Sequence, residues 1–352
     1  MQKLKIGFIG TGRVCRAHHL PSWSKLPNAE VYAVCDIIPE VAKAVAKEYK
    51  VRHVFTDYDE MLKLGEIDVV DICTPNNVHC PAAVASLNAG KHVFVEKPIG
   101  RTAVEAQAIV DAAKKNHKKL SVGQCIRFDS ASRALKGFAD AGELGEVYYA
   151  RTQCLRRRGV PTWGSFIDKE KQGGGPLIDL GVHVIDLALW FMGHPKPVCA
   201  SGVSYRKFGD REGIANAWGS WDPKDFTVED FAAGLIKFDN GASLVVECSF
   251  AANLEKEILS LSLMGTEGGS EYALLSEHSP LKIFKEARGT LLDITPVELP
   301  QLDRFGLELG AFADAITNDT EPPVTGEQTL MVAKIMDAIY ESAETGREVV
   351  IL

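Results

Sequence analysis

The first third of the chain alternates short apolar runs with longer segments whose apolar residues recur at helical spacing. Between Leu4 and Val122 the apolar runs are LKIGFIG, VYAVCD, HVF, VVDICT, HVFVE and LSVG. Intervening segments such as PEVAKAVAKEYK and TAVEAQAIVDAAKKN predict amphipathic helices. Apolar strands separated by helices predict a parallel sheet that is covered on both faces. We therefore predict a doubly wound α/β domain over residues 1–123.

After Gly123 the pattern changes to one strong helix followed by a succession of strands. The helix is predicted from PLIDLGVHVIDLALWFM, and the strands from PVCASGVSY, VEDFAAGLIKF, ASLVVECSF, EILSLSLMG, SEYALL and LKIFKEA. Asn240-Gly241 lies between two of these runs and predicts a hairpin, because both residue types tolerate positive φ. Strands without intervening helices predict a mostly antiparallel sheet. With two further helices from LELGAFADAITN and GEQTLMVAKIMDAIYESAETG, we predict an α+β domain over residues 124–352.

The composition is that of a soluble globular protein and disfavours two classes of partner. The 352 residues are 46% hydrophobic and 24% charged, with a net charge of -8. A negative surface attracts neither nucleic acid nor an anionic membrane, so a small-molecule substrate is expected. No signal-type segment is evident, and no run approaches the roughly 18 apolar residues of a membrane span. Eight scattered cysteines predict buried thiols in a reducing compartment, so we expect a cytoplasmic protein.

The first predicted strand runs into a glycine-rich turn of the kind that binds a dinucleotide. The turn reads Gly10-Thr11-Gly12-Arg13-Val14-Cys15, which fits G-x-G-x-x-G/A except for the cysteine at the third small position. In such a turn the first glycine permits the tight bend, and the second lets a pyrophosphate approach the backbone at the helix N-terminus. Taken alone, the motif fits an ordinary strand-to-helix turn equally well.

An acidic residue at the end of the second predicted strand supports the nucleotide interpretation. Asp36 follows the glycine turn at close to the sequence spacing expected of a carboxylate that hydrogen-bonds a ribose 2'-hydroxyl. The next residues are Ile37, Ile38 and Pro39, which offer no cation to a 2'-phosphate. NAD is therefore favoured over NADP. The alternative interpretation of Asp36 is a helix N-cap, for which aspartate is well suited.

Polar residues follow the fourth predicted strand. VVDICT is followed by Thr74, Pro75, Asn76, Asn77 and, after one valine, His79. In an open α/β sheet, ligands bind beyond the carboxyl ends of the strands, so Thr74, Pro75, Asn76 and His79 are expected to line the cofactor cleft. Helix capping by Asn76 or Asn77 is the alternative.

Two opposite charges and a proline follow the fifth predicted strand. Glu96, Lys97 and Pro98 are expected at the same edge of the sheet, where a nicotinamide would lie. Pro98 disfavours a helical backbone at Lys97, and a cis bond between them would turn the lysine toward the cleft. A surface salt bridge between Glu96 and Lys97 is the alternative.

The strong helix of the second domain carries an acid-histidine-acid pattern. Asp179, His183 and Asp186 lie at i, i+4 and i+7, which places them on one stripe. The stripe suits acid-base chemistry, because an unperturbed imidazole titrates at about pH 6.5 and a carboxylate can hold its tautomer. The alternatives are a buried histidine neutralised by a carboxylate, a helix cap at Asp179, or a metal site. We expect no metal, because the sequence has no further cluster of ligands to complete the coordination.

These motifs, in order, resemble those of the Gfo/Idh/MocA family of oxidoreductases, which includes inositol dehydrogenases and glucose-fructose oxidoreductase. The resemblance rests on GFIGTGRV, VVDICTPNNVH, HVFVEKPIG and GGGPLIDLGVHVIDLALWFMG and covers essentially the whole chain. It implies an N-terminal Rossmann domain and a C-terminal domain with an open, mostly antiparallel sheet. It also implies NAD(P)-dependent chemistry on a sugar, cyclitol or related alcohol. Because family members commonly associate through the open sheet face, a homodimer or homotetramer is implied.

The resemblance extends to single residues. Lys97 matches the lysine of the family's E-K-P motif, and Asp179 and His183 match its helix acid and histidine. The segment GQCIRF departs from the more usual N-R-R-F-like sequence, so Gln124 or Arg127 would take over the role of the asparagine.

These residues imply a mechanism in which a secondary alcohol gives hydride to the nicotinamide while a base removes its hydroxyl proton. We assign His183 as the base and Asp179 as the group that holds its imidazole. Lys97 is assigned to position the hydroxyl and relay its proton, with direct base catalysis as a variant. Two other classes remain open: redox-neutral cleavage of a glycoside with transient use of NAD, and a non-catalytic NAD-binding protein.

The loop CLRRRGVPTWGSF is the candidate substrate side of the second domain. Its residues Arg156, Arg157 and Arg158 suit an anionic or polyhydroxylated substrate, and Trp163 suits stacking on a sugar ring. A solvated face of arginines is an equally good interpretation.

Overall fold

All six strands predicted before residue 123 form, and they associate in one parallel sheet. The strands are β1 (Leu4–Ile9), β2 (Ala29–Cys35), β3 (His53–Phe55), β4 (Val69–Ile72), β5 (His92–Val95) and β6 (Leu120–Val122). The computed structural model describes residues 3–274 and 280–352, and in it the strand order is β3-β2-β1-β4-β5-β6. The order reverses between β1 and β4, so the carboxyl ends of these strands mark the switch point where doubly wound sheets bind ligands.

Helices connect these parallel strands, as the periodicity predicts. A π-helix (Cys15–His19) leads into α1 (Leu20–Lys25), and the later connections contain α2 (Pro39–Tyr49), α3 (Tyr58–Leu62), α4 (Asn76–Asn88) and α5 (Ala103–Lys115). After β6 a 3-10 helix covers Cys125–Phe128. The side chains at the N-caps of α3 and α5, Asp57 and Thr102, accept hydrogen bonds from backbone amides of their first turns. Both helices therefore begin where a capping residue satisfies an amide that has no partner within the helix.

The second part of the chain forms one sheet of nine strands. They are β7 (Val147–Leu155), β8 (Pro197–Tyr205), β9 (Phe231–Phe238), β10 (Ser243–Ser249), β11 (Ile258–Gly265), β12 (Gly268–Ala273), β13 (Leu281–Ala287), β14 (Thr290–Ile294) and β15 (Val349–Val350). The order is β14-β13-β12-β11-β7-β10-β9-β8-β15, and every neighbouring pair is antiparallel except β7 with β10. This confirms the predicted mostly antiparallel sheet. Of the predicted run SEYALL, Leu275 lies outside the described residues.

The hairpin between β9 and β10 forms with a different turn from the one expected. Only Gly241 of the Asn240-Gly241 pair has positive φ, at 87°. Asn240 instead accepts the amide of Ala242 with its side-chain oxygen at 3.0 Å. The asparagine therefore stabilises the turn by a local hydrogen bond, while glycine supplies the left-handed backbone.

The helices of this second part are α6 (Ser130–Asp140), α7 (Lys169–Gln172), a π-helix (Leu177–Gly181) and α8 (Val182–Phe191). The predicted single helix PLIDLGVHVIDLALWFM thus begins with a π-turn. Among the described residues, Lys169–Phe191 is long and apolar enough to cross a membrane, but 83% of its most apolar window is buried inside the protein. That degree of burial is typical of a core helix.

The end of the chain forms α9 (Arg304–Thr317), α10 (Gly326–Thr345) and β15. Two compact units result: the residues up to Phe128 with Leu302–Leu330, and Asp129–Gln301 with Met331–Leu352. Leu309 and Phe312 of α9 are buried in the same core as Phe8 and Phe94, which explains the return of this segment to the first unit. The predicted boundary between residues 123 and 124 did not include this return of the chain to the first unit.

Candidate active site

The glycine turn after β1 has the geometry that a dinucleotide requires. Gly10 has φ +83°, and a Cβ there would lie 2.8 Å from the carbonyl oxygen of Cys73. Only glycine fits this position without strain. At Gly12, by contrast, a Cβ would meet no described atom within 4 Å, so the backbone is open to a ligand. Arg13 and Val14 begin the following helix, and Cys15 is fully buried in the core, as its small size allows.

Asp36 is tied directly to this turn. Its Oδ2 accepts hydrogen bonds from the amide of Thr11 at 2.9 Å and from the Thr11 hydroxyl at 3.0 Å, while Oδ1 accepts the amide of Ile38. The N-cap of α2 is Ile38, so the alternative assignment of Asp36 as the cap of that helix is wrong. Each carboxylate oxygen has two acceptor sites, so Asp36 retains capacity for a ribose hydroxyl.

The residues after β4 lie beside the glycine turn. A Cβ on Gly10 would come within 2.8 Å of Thr74 Cγ2, and Thr74 Oγ1 is buried without a hydrogen-bond partner in the part of the chain that the structure describes. A dinucleotide that offers hydroxyls and phosphate oxygens fits such a set. The N-cap of α4 is Pro75, so neither Asn76 nor Asn77 caps it, and that alternative is wrong.

His79 has a different environment from the one expected of a cofactor ligand. The side chain is fully buried, with Nδ1 2.7 Å from the carbonyl oxygen of Pro98 and Nε2 2.9 Å from that of Thr74. Burial lowers the pKa of His79, although both carbonyls act in the opposite direction. His79 thus holds the Pro98 backbone, a structural contact that its sequence position alone does not indicate.

Glu96 and Lys97 occupy a turn that is fixed from several sides. The Lys97–Pro98 bond is cis, as the sequence allowed. Glu96 Oε2 accepts the amide of Lys97 at 3.1 Å, and Oε1 lies 2.9 Å from Nε2 of His19. A Cβ on Gly123 would approach Glu96 Oε1 to 3.1 Å, so this glycine leaves the carboxylate its place. The Glu96 side chain is 13% exposed and so does not belong to a solvated surface ion pair.

The acid-histidine pattern of the second unit resolves into a partly exposed pair and a buried acid. We refer to the π-helix and α8 together as the Asp-His helix (Leu177–Phe191). Asp179 and His183 are partly exposed, whereas the residues on either side of each are buried, and Asp186 is only 1% exposed. The N-cap of the π-helix is Pro176, so the alternative assignment of Asp179 as a helix cap is wrong.

An acid that the sequence analysis did not identify holds the start of this helix. Glu229 accepts the amide of Gly175 at 2.9 Å, the amide of Leu177 at 3.2 Å and the hydroxyl of Tyr340 at 2.8 Å. Burial raises the pKa of Glu229, and these three donors act against that shift. A Cβ on Gly174 would collide with the Tyr340 hydroxyl, which accounts for a glycine in the GGGP segment. A carboxylate at a helix N-terminus also complements the helix dipole.

The three arginines of the candidate substrate loop bind local groups. Arg156 Nη1 donates to the carbonyl of Gly159 at 3.2 Å, and Arg157 Nη1 donates to that of Glu255 at 3.1 Å. Arg158 donates to a carbonyl at 2.8 Å and to a side-chain oxygen at 2.6 Å, both in the residues after β10. Part of the hydrogen-bonding capacity of each guanidinium is therefore used by neighbouring protein groups. This weakens the expectation of an anionic substrate.

Trp163 of this loop contacts a second tryptophan, Trp218. The rings of Trp163 and Trp218 are 5.1 Å apart in an edge-to-face arrangement, and the side chains are 40% and 42% exposed. The guanidinium of Arg156 lies 5.0 Å from the Trp218 ring and steadies it. Ser165 accepts the side-chain amide of Gln172 in α7 at 2.6 Å, so the loop is anchored to the segment that leads into the Asp-His helix.

The structure does not support a substrate contact for Arg127. Its guanidinium donates to the carbonyl of Pro323 at 3.2 Å and to Gln328 Oε1 at 2.8 Å, and the residue is 3% exposed. Gln124 is equally buried, and its backbone N–H donates to Glu308 Oε1. Both residues anchor the 3-10 helix within the first unit, a role that depends on partners far along the chain.

Comparison with known proteins identifies the family of both parts of the chain. The family model for the NAD-binding Rossmann fold of the Gfo/Idh/MocA oxidoreductases matches residues 4–124, and that for their C-terminal α/β domain matches residues 138–351. The D-glucoside 3-dehydrogenase of Escherichia coli K12 is 34% identical over 98% of this chain and 97% of its own. An inositol 2-dehydrogenase of Salmonella typhimurium is 25% identical over 97% and 95%. The structure of a levoglucosan dehydrogenase with NADH and levoglucosan superposes with a TM-score of 0.87, at 25% identity over 99% of this chain and 100% of that one.

Proposed function

The chain belongs to the Gfo/Idh/MocA family of oxidoreductases, and we propose that it transfers a hydride between a secondary alcohol of a sugar, cyclitol or related polyol and NAD. The observation that carries this proposal is the pair Asp179 and His183, partly exposed on a helix whose other residues are mostly buried. An imidazole beside a carboxylate is suited to accept the proton of an alcohol. The bound NAD supplies the hydride acceptor.

The preference for NAD rests on the surroundings of Asp36. Its carboxylate would accept a ribose hydroxyl and would repel a 2'-phosphate at the same position. The exposed side chains that follow, Ile37 and Ile38, provide no positive charge to offset this repulsion. The glycine turn would hold the pyrophosphate at the backbone of Gly12, where no described side chain intrudes.

Residues of the chain carry out the proton transfer and orient the substrate. His183 takes the hydroxyl proton, Asp179 holds the imidazole and stabilises its charged form, and Lys97 orients the reacting hydroxyl and relays its proton. Glu96 keeps the backbone at Lys97 in place through the hydrogen bond from the Lys97 amide. No metal is assigned a role in this scheme.

The substrate that we propose first is a pyranose glycoside, oxidised at a ring hydroxyl. The relative with 34% identity is named for oxidation of D-glucosides at carbon 3. Trp163, in the loop that precedes the Asp-His helix, packs edge-to-face on Trp218, in the segment between β8 and β9. Aromatic rings pack well against the apolar face of a sugar, so Trp163 and Trp218 are assigned to that contact.

We also propose that the protein is a homodimer or homotetramer that forms through the open face of its nine-stranded sheet. Exposed apolar side chains on four strands support this: Tyr148, Val203, Tyr205, Leu235 and Met264. Light scattering on the purified protein would give the mass of the particle in solution.

The activity is tested with a panel of glycosides, free aldoses, anhydrosugars and inositols, each with NAD+ and NADP+. We expect reduced cofactor with NAD+ and at least one glycoside. Lys97→Met and His183→Asn should lose most of kcat and retain NAD binding, whereas Lys63→Met, at an exposed surface pair, should behave as the unaltered protein. Release of the aglycone without net reduced cofactor would replace this proposal with a redox-neutral cleavage. Unchanged turnover of Lys97→Met would remove the assignment of that lysine.

A further inference from the structure

A chain of hydrogen bonds between mostly buried side chains ends at the Lys97 turn. The indole Nε1 of Trp23 donates to Asp71 at 2.7 Å, and Asp71 lies 2.9 Å from Nδ1 of His19. On the other side of the ring, His19 Nε2 lies 2.9 Å from Glu96 Oε1, and Glu96 Oε2 accepts the amide of Lys97 at 3.1 Å. The imidazole therefore joins a carboxylate at the centre of the sheet to the carboxylate that holds the lysine backbone.

The protonation of His19 follows from these partners. An ionised carboxylate only accepts hydrogen bonds, so both ring nitrogens must carry a proton to satisfy both acids. Burial by itself would lower the pKa of His19, but the charges and hydrogen bonds of Asp71 and Glu96 raise it well above its ordinary value. The side chains of His19 and Asp71 are 1% and 0% exposed, so this charge is shielded from solvent.

Stability is an insufficient explanation for this arrangement. Taking charges out of water is costly, and apolar side chains of similar volume often stabilise a core as well or better. What a bridged pair of carboxylates adds is a fixed position, because hydrogen bonds to charged groups are short and directional. Glu96 has a flexible side chain at the sheet edge, and His19 restricts it to one place.

The local backbone delivers His19 to this position. The amide of Leu20 bonds to the carbonyl of Cys15, the i+5 pattern of a π-turn. Such turns are rare and occur frequently at functional sites. The neighbouring His18 instead stacks on Phe305 at 4.0 Å, so only one of the two adjacent histidines enters the core.

A metal site made by the same residues is a weaker interpretation. His19, Asp71 and Cys73 each place one donor atom within 4.8 Å of the others. However, His19 and Asp71 already lie within hydrogen-bond distance of each other, and the Cys73 thiol donates to Asp71 Oδ1 at 3.3 Å. Trp23 uses the same carboxylate. A metal ion would have to break these hydrogen bonds, and they satisfy the donors and acceptors of the cluster without an ion.

We propose that His19 is a positioning residue for the reaction: it ties Glu96 to Asp71 and thereby fixes the backbone that presents Lys97. The same turn has a second contact, because Nδ1 of His79 lies 2.7 Å from the carbonyl oxygen of Pro98. The proposal rests on the proposed function, because it assumes that Lys97 orients the substrate hydroxyl. It assigns to His19 no contact with substrate or cofactor.

The first test measures the turn itself and needs no substrate. Amide hydrogen exchange of the peptide that contains Lys97 is compared among the unaltered protein, His19→Gln and Asp71→Asn. Glu96, the acceptor of the Lys97 amide, loses its restraint in both variants, and exchange of that amide should speed up by about tenfold or more, because a hydrogen bond to a charged group is worth about 1.5–3 kcal/mol. His53→Gln removes an imidazole from β3 and should leave this exchange unchanged. Unchanged exchange in both core variants would overturn the proposal.

The second test measures turnover. His19→Gln and Asp71→Asn should each lower kcat by about 10- to 100-fold through misplacement of the lysine, with NAD binding retained. The double variant should lose little more than the worse single one, because both act through one chain of contacts. A merely structural role would lower the unfolding temperature and leave kcat of the folded protein unchanged, which would refute the proposal.

A third variant covers the case in which His19→Gln fails to fold, since that change leaves Asp71 buried without its cation. Glu96→Gln keeps the buried Asp71–His19 pair and loosens only the turn, so it should show the same faster exchange and lower kcat. Absence of dehydrogenase activity in the unaltered protein would remove the proposed function. The exchange result would still decide whether His19 fixes the turn.

Discussion

The start of the Asp-His helix can be tested by removing one hydroxyl, with the substitution Tyr340→Phe. The Tyr340 hydroxyl donates to Glu229 Oε1 at 2.8 Å, and the same carboxylate accepts the amides of Gly175 and Leu177. Phenylalanine keeps the ring and removes only this donor. The helix N-terminus should therefore lose one of its fixed contacts, with the surrounding packing preserved.

The magnitude follows from the burial of the acceptor. Glu229 is 7% exposed, so the lost donor is poorly replaced by water. A hydrogen bond to a charged group contributes about 1.5–3 kcal/mol, and we expect the free energy of unfolding to fall by that amount at neutral pH. The turnover number should fall as well, because Asp179 and His183 belong to the helix that Glu229 holds.

The pH dependence of this loss has a definite sign. Burial raises the pKa of Glu229, whereas the Gly175 amide and the Tyr340 hydroxyl lower it, so Tyr340→Phe should raise this pKa further. A raised carboxyl pKa means that the ionised form is disfavoured in the folded protein. That cost is present above the folded pKa and is relieved as the pH falls through it. The stability difference between the variant and the unaltered protein should therefore shrink on acidification.

The assay is urea unfolding followed by tryptophan fluorescence at a series of pH values. Tyr205→Phe is the matched control, because it removes the hydroxyl of a half-exposed tyrosine that stacks on Phe231. The control should change the free energy of unfolding by less than about 0.5 kcal/mol. A loss in Tyr340→Phe as small as the control's, or one that does not vary with pH, would refute the reasoning.

Three further predictions concern the first unit. Gly10→Ala should lower the free energy of unfolding by about 1–2 kcal/mol, because Gly10 has positive φ and the new Cβ would meet the Cys73 carbonyl. Gly137→Ala, inside α6, should not, because no described residue outside its own helical turn approaches the new Cβ within 4 Å; thermal unfolding compares the two variants. Asp36→Ser combined with Ile37→Arg should shift the NADP-to-NAD ratio of kcat/KM by about tenfold or more, since repulsion is removed and a phosphate partner is gained, and an unchanged ratio would contradict the role of Asp36. The pKa of His19 is raised on folding, so its stabilising contribution is complete below about pH 6.5 and is lost as the pH rises through the folded pKa. The loss is at most about 1.4 kcal/mol per pH unit. In denaturant titrations at a series of pH values, His19→Gln should show a weaker dependence of the unfolding free energy on pH.

Much of the fold is encoded locally, and the sequence alone predicts it. The six strands of the first sheet and most of the second are found where the apolar periodicity places them. The glycine turn also follows from neighbouring residues, whereas Pro98 only allowed the cis Lys97–Pro98 bond that the structure contains. β7 was missed although it lies at the centre of the second sheet, because VYYARTQCL mixes polar and apolar residues and pairs with partners on both sides.

Only the tertiary structure decided which charged side chains contact one another in the interior. His19 is separated by 52 residues from Asp71 and by 77 from Glu96, and Glu229 by 54 from Gly175. Arg127 is held by partners about as far away as the chain permits within its unit. A periodic pattern reports whether a side chain is buried, but not which distant group it meets there. The sequence therefore determined most of the strands, the glycine turn and the helical spacing of Asp179 and His183. The groups that hold the Lys97 turn and the start of the Asp-His helix depend on contacts that exist only once the chain is folded.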